Sequence, residues 1–96
     1  MGHIVELRFK YAEKDLALLD GLLRSAPYFS RYDGLHRLYE FRGPESRLDE
    51  PTPDCSVMVE DYGLLLNALG DYRVYDAVEE NLVRVVEERI GPTAKR

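Results

Sequence analysis

Polar and apolar residues alternate over residues 3–10. His3, Val5, Leu7 and Phe9 share one face, while Ile4, Glu6, Arg8 and Lys10 share the other. A period of two predicts a half-buried strand. The period then lengthens: Ala12, Leu16, Leu19, Leu23 and Ala26, with Leu22 beside them, form one stripe of a helix. Glu13 and Asp15 fall in its first turn, where the helix dipole favours acids, and Pro27 ends it. Residues 28–34 read as an aromatic loop closing on the turn signal Asp33-Gly34. Alternation returns over 35–42, with Leu35, Tyr39 and Phe41 opposite His36, Glu40 and Arg42; Arg37 and Leu38 mix the two sides, as in an edge strand or one covered on both faces.

Residues 43–54 carry Pro44, Pro51 and Pro53 and predict a long irregular loop. Residues 55–60 predict a strand, Asp61-Tyr62-Gly63 a tight turn, and Leu64 to Asn67 the returning partner of a hairpin. Asp71 suits the N-cap of a final helix, in which Tyr75, Val78, Leu82, Val85, Val86 and Ile90 form an apolar stripe. Glu80, Arg84 and Glu88 lie opposite, a solvated face with favourable pairs at spacing four. Gly91-Pro92 stops this helix, and the basic tail 93–96 is expected to fray.

The expected order is β-α-β-β-β-α in a single domain over residues 1–96. The fold class this implies is α+β: a two-layer sandwich with a small mixed, mostly antiparallel sheet and two helices on one face. The first two strands flank a helix and would run parallel through a right-handed crossover; the last three would form an antiparallel meander. In outline, a helix followed by β-β-β-α resembles double-stranded-RNA-binding domains, and that resemblance implies a basic helix start facing phosphates. The final helix instead begins Asp71-Tyr72-Arg73-Val74-Tyr75-Asp76 and carries Glu79-Glu80, so the likeness ends at topology.

The formal charge of −5 over 96 residues also argues against a nucleic-acid ligand. No apolar run of roughly 18 residues is present, so no membrane span is expected. The early Glu6 does not fit a secretory signal, and the expected compartment is cytoplasmic. Cys55 is the single cysteine, which rules out an internal disulfide.

Candidate chemistry is sparse. His36 near Asp33 and Glu40 is the best general-base arrangement, yet no nucleophile accompanies it in a recognisable setting. His3 opens the first strand, and Cys55 lacks a basic neighbour in sequence to lower its pKa. The carboxylates of the loop and hairpin turn show no calcium-loop spacing, and two histidines with one cysteine do not build an ordinary zinc site. The expectation is a non-enzyme without cofactor or metal.

Charge distribution is more informative. Residues 45–61 hold six acids (Glu45, Asp49, Glu50, Asp54, Glu60 and Asp61) against Arg47 alone, whereas residues 1–44 are nearly balanced. Seven tyrosines form a second signal, with Tyr62 inside that acidic segment; tyrosine offers large, rigid contact area with a polar tip. Asp49, Glu50, Asp54, Glu60, Asp61 and Tyr62 are therefore the expected partner-binding residues, and the expected function is a small acidic module for a basic protein partner. In size and charge the chain is similar to small acidic bacterial immunity proteins and antitoxins, which cover the basic site of a nuclease or like toxin. The alternative is self-association, or binding of a small ligand, through an open sheet face bearing Ile4, Leu38 and Met58.

Overall fold

The computed structural model describes residues 3–45 and 51–96. Six strands, β1 (His3–Arg8), β2 (Phe29–Asp33), β3 (Leu38–Phe41), β4 (Cys55–Glu60), β5 (Gly63–Ala68) and β6 (Ala94–Lys95), form one sheet in the order β2-β3-β4-β5-β1-β6. Two helices, α1 (Leu16–Arg24) and α2 (Tyr72–Arg89), cover one face of it. The chain is thus an α+β two-layer sandwich.

Every described strand pairing is antiparallel. This corrects the expected parallel pair. The crossover through α1 does not return the chain beside β1; it carries it across the sheet to the far edge, where β2 starts. β1 instead pairs with β5, register Leu7 to Leu64, and with β6.

Period-two burial builds the core. Leu7, Leu64, Leu66, Val57, Tyr39 and Phe41 point to the helical face and are buried there against Leu19 and Leu23 of α1 and Val78, Leu82 and Val86 of α2. Cys55 joins this cluster, and burial pushes its thiol up to about 12, which suits a small core side chain rather than a nucleophile.

The aromatic stretch expected as a loop is a strand. A bulge between Phe29 and Arg31 inserts one residue, so Phe29 and Tyr32, three apart, both reach the helical face, and the alternation is hidden. The tail expected to fray is tied down as well. Glu6 and Arg96 exchange backbone hydrogen bonds of 2.8 and 2.9 Å, and Lys95 Nζ pairs with Glu79 at 2.7 Å.

Asp54 is the junction of the end opposite the β4–β5 turn. Its Oδ2 accepts the Gly43 N–H at 2.8 Å and its Oδ1 the Asp71 N–H at 2.9 Å. Its carbonyl accepts from Leu69 and Gly70, and its own N–H donates to Phe41. One residue thereby joins the exit of β3, the start of β4 and the turn into α2.

On the helical side, the Tyr39 hydroxyl donates to Asp20 at 2.6 Å and Arg24 pairs with the same carboxylate at 3.0 Å. The Tyr39 bond, aided by Arg24, holds the Asp20 carboxyl below its ordinary value. A lowered carboxyl contributes stability above its unfolded pKa, and loses it as pH falls through the folded value. Tyr39→Phe is expected to raise the Asp20 midpoint in a carbon-detected NMR titration and to flatten the acid limb of stability. An unmoved midpoint would assign the lowering to Arg24 alone.

Candidate functional site

Strand directions gather the ends of β1, β2 and β4 with the starts of β3, β5 and β6 at one end of the sandwich. The β4–β5 turn is its tip. Here the Tyr11 hydroxyl donates to the Glu60 carbonyl at 2.8 Å, and the Phe9 N–H donates to the Tyr62 carbonyl at 2.9 Å, fixing the loop after β1 against the turn. Arg8 pairs with Glu6 at 2.7 Å and lies over the Tyr62 ring, 4.7 Å from its centroid.

Two grooves flank Tyr11 and Asp61. One, of about 860 Å³, runs between Phe9, Tyr62, Ile90 and Pro92. The other, of about 380 Å³, lies between Leu16, Tyr32, Arg37 and Val59. Four of the seven tyrosines (Tyr11, Tyr32, Tyr39 and Tyr62) line one or both. Burial raises the phenol pKa values of Tyr11 and Tyr62, and carboxylates add to it: Asp61 and Glu60 at Tyr11, Glu6 and Glu60 at Tyr62.

Glu60, Asp61 and Tyr62 therefore stand together at this end. Asp54 does not join them. It lies at the other end of β4, roughly 20 Å away at the rise of an extended strand, with both carboxylate oxygens bonded to backbone N–H groups. Asp49 and Glu50 lie outside the described residues. A segment that is continuous in sequence is thus divided in space.

A third groove contains none of the expected partner-binding residues. It is open, about 870 Å³, and runs along the outer face of α2 beside β6. Asp76, Glu79, Glu80, Glu87 and Glu88 line it, against Arg84 and Lys95. Burial would raise the Glu79 carboxyl, but the Lys95 ammonium, with Tyr75 and His3 beside it, holds the carboxyl low. Arg84 pairs with Glu88 at 3.8 Å, and Glu87 accepts the Thr93 hydroxyl at 2.8 Å. Asp76 and Glu80 form no ion pair with a described residue. Along the chain, its last helical lining residue, Glu88, is followed by Ile90, Gly91 and Pro92, which line the first of the two tyrosine-lined grooves. Its signal was present as helical spacing at 76, 80, 83 and 87, but that face reads equally as solvated until β6 walls one side.

The histidine arrangement separates. His36 Nδ1 bonds Asp33 Oδ2 at 2.8 Å, and Asp33 Oδ1 accepts the Leu35 and His36 N–H groups, so this pair forms the β2–β3 turn. The His36 hydrogen bond holds the Asp33 carboxyl low. Glu40, only 4% exposed, is committed to Arg31 at 3.0 Å and Arg42 at 3.4 Å. His3 packs edge-on to Tyr75, centroids 5.9 Å apart.

The open sheet face is mixed. Ile4, 60% exposed, heads a row continuing through Asn67, Ser56, Glu40 and Arg31. Leu65, Met58 and Leu38 form the next row, half-buried, between Glu6 and Asp33.

Among the described residues, no helix is long and apolar enough to cross a membrane, and no group of three or more His, Cys, Asp and Glu side chains is placed to hold a metal ion. No family model, curated protein or solved structure matches the chain at significant similarity.

Proposed function

We propose that this chain is a small non-enzymatic binding module that covers a basic surface on another protein. One observation carries the reading: the acidic groove along α2 reaches Glu87 and Glu88 in the last turn of the helix, and Ile90 and Pro92, just beyond that turn, line a separate groove with Phe9 and Tyr62. Unpaired carboxylates speed encounter with a cationic surface and orient it. Aromatic walls at the end of the acidic run supply the desolvated anchor that such contacts need. Asp61 and Tyr62 stand at that anchor, with Asp76, Glu80 and Glu87 along the approach. Covering a basic active or nucleic-acid-binding surface, in the manner of immunity proteins and antitoxins, is the role that suits this combination.

Charge reversal tests it. Against the polypeptide recovered with the protein from its source, Glu80→Lys combined with Glu87→Lys is expected to slow association about tenfold at low salt and to shrink the salt dependence of the rate. Tyr62→Ala is expected to act mainly on dissociation. An association rate and salt slope unchanged by the double reversal would remove the acidic groove from the account.

A further inference from the structure

We propose that the chain also pairs with a second copy of itself, through the tip of the β2–β3 hairpin and the groove beside it. The acidic groove takes no part, but Asp61 lines both this groove and the anchor proposed above, so a second copy and a basic partner would compete for it. Leu35, at the hairpin tip, is 86% exposed. The Asp33 turn holds it out from the body: Asp33 Oδ1 accepts the Leu35 and His36 N–H groups at 3.0 and 3.3 Å. Beside the tip lies the groove between Tyr11, Leu16 and Tyr32, in which Leu16 is 43% exposed. The apolar knob lies beside a groove that sets Leu16 and Val59 among Arg37, Glu60 and Asp61, so knob and groove stand on the same end and can be exchanged between two copies. A twofold axis there places Leu35 of each copy in the groove of the other, an isologous and closed contact.

Charge favours the second copy as the occupant. Most faces of a chain with net charge −5 repel a twin. At this end the charges are mixed, with basic Arg8, Lys10, Lys14 and Arg37 among acidic Glu13, Asp15, Asp33, Glu60 and Asp61. Arg37 and Asp61 are both exposed on the groove, and neither forms an ion pair with a described residue. Across the twofold each meets its opposite. Arg37 also has φ 57°, a left-handed conformation that glycine or asparagine adopts more easily. The turn keeps an arginine there against its backbone preference, which fits a side chain serving an outside contact.

Sedimentation velocity of the intact chain, over about a thousandfold range of concentration, is expected to show a monomer–dimer equilibrium. Leu35→Asp is expected to raise the dimer dissociation constant at least about tenfold. Arg37→Asp should do the same, and adding Asp61→Arg to it should restore the constant to within about threefold. Arg37→Gly separates association from folding: it relieves the turn, so the thermal midpoint holds or rises while the dimer weakens. A monomer at all concentrations would overturn the proposal. So would a dimer indifferent to both Leu35→Asp and Arg37→Asp, which would place the contact on another face.

Discussion

Asp54→Ala is expected to lower the free energy of unfolding by about 4 kcal/mol. The carboxylate accepts two backbone N–H groups, from Gly43 and Asp71. Hydrogen bonds to a charged acceptor are worth about 1.5–3 kcal/mol each, and the buried Gly43 donor would be left unmet. The surroundings leave little room for repair. A Cβ on Gly43 would lie 2.8 Å from the Val74 side chain, and one on Gly70 would lie 2.4 Å from Asp54 Oδ1. The chain is packed around this side chain from both sides. Asp54→Asn distinguishes acceptor chemistry from shape: the amide keeps one acceptor but turns an NH₂ toward the second donor, so roughly half of the loss should remain. Urea unfolding with an unchanged slope checks both. A loss below about 1 kcal/mol for the alanine variant would show that water takes over both bonds, and that Asp54 is not a junction.

Gly63→Ala is expected to cost about 3 kcal/mol. Gly63 opens β5 opposite Arg8 and Glu60, with φ 136°. An added Cβ would lie 2.2 Å from the Leu7 carbonyl oxygen and 3.1 Å from the Phe9 ring. The backbone of β1 would have to move, since a main-chain oxygen has no rotamer to escape into. Positive φ costs a non-glycine residue roughly 1–2 kcal/mol and overpacking about 1–3 more. Gly21→Ala is the matched control. It lies within α1 with nothing near its missing Cβ, so helix propensity should make the change stabilising by about 0.5–1 kcal/mol. Equal effects at the two sites would refute the steric argument.

Most of the architecture is legible in the residue pattern because burial enforces periodicity. The α2 stripe Tyr75, Val78, Leu82 and Val86 is buried as its spacing implies, and β4 occupies residues 55–60 as its run of small and branched side chains implies. The sequence misleads where one local event breaks the period or where space reorders the chain. The bulge after Phe29 hid β2, because one extra residue moves every later side chain to the other face. β6 carries only two residues, and its place depends on Glu6 and Glu79, far away in sequence.

The site divides on the same principle. The Asp61-Tyr62 turn was legible, but of Glu60, Asp61 and Tyr62 only Asp61 is exposed; Glu60 and Tyr62 are half-buried. Asp54, a few residues earlier, has the same side-chain chemistry as Asp61 but faces a ring of backbone N–H groups that arrive from Gly43 and Asp71. Nothing local marks that difference. The acidic groove of α2 was written in the helical spacing of its carboxylates, but it becomes a groove only when Lys95 and β6 close one side.

The most direct test of the binding reading is native mass spectrometry of the protein taken gently from its own source, with associated chains left in place. The expected result is a complex with a basic polypeptide, which the Glu80→Lys, Glu87→Lys variant retains at clearly lower occupancy. Recovery of the chain with no other polypeptide, as monomer or as dimer, would contradict it.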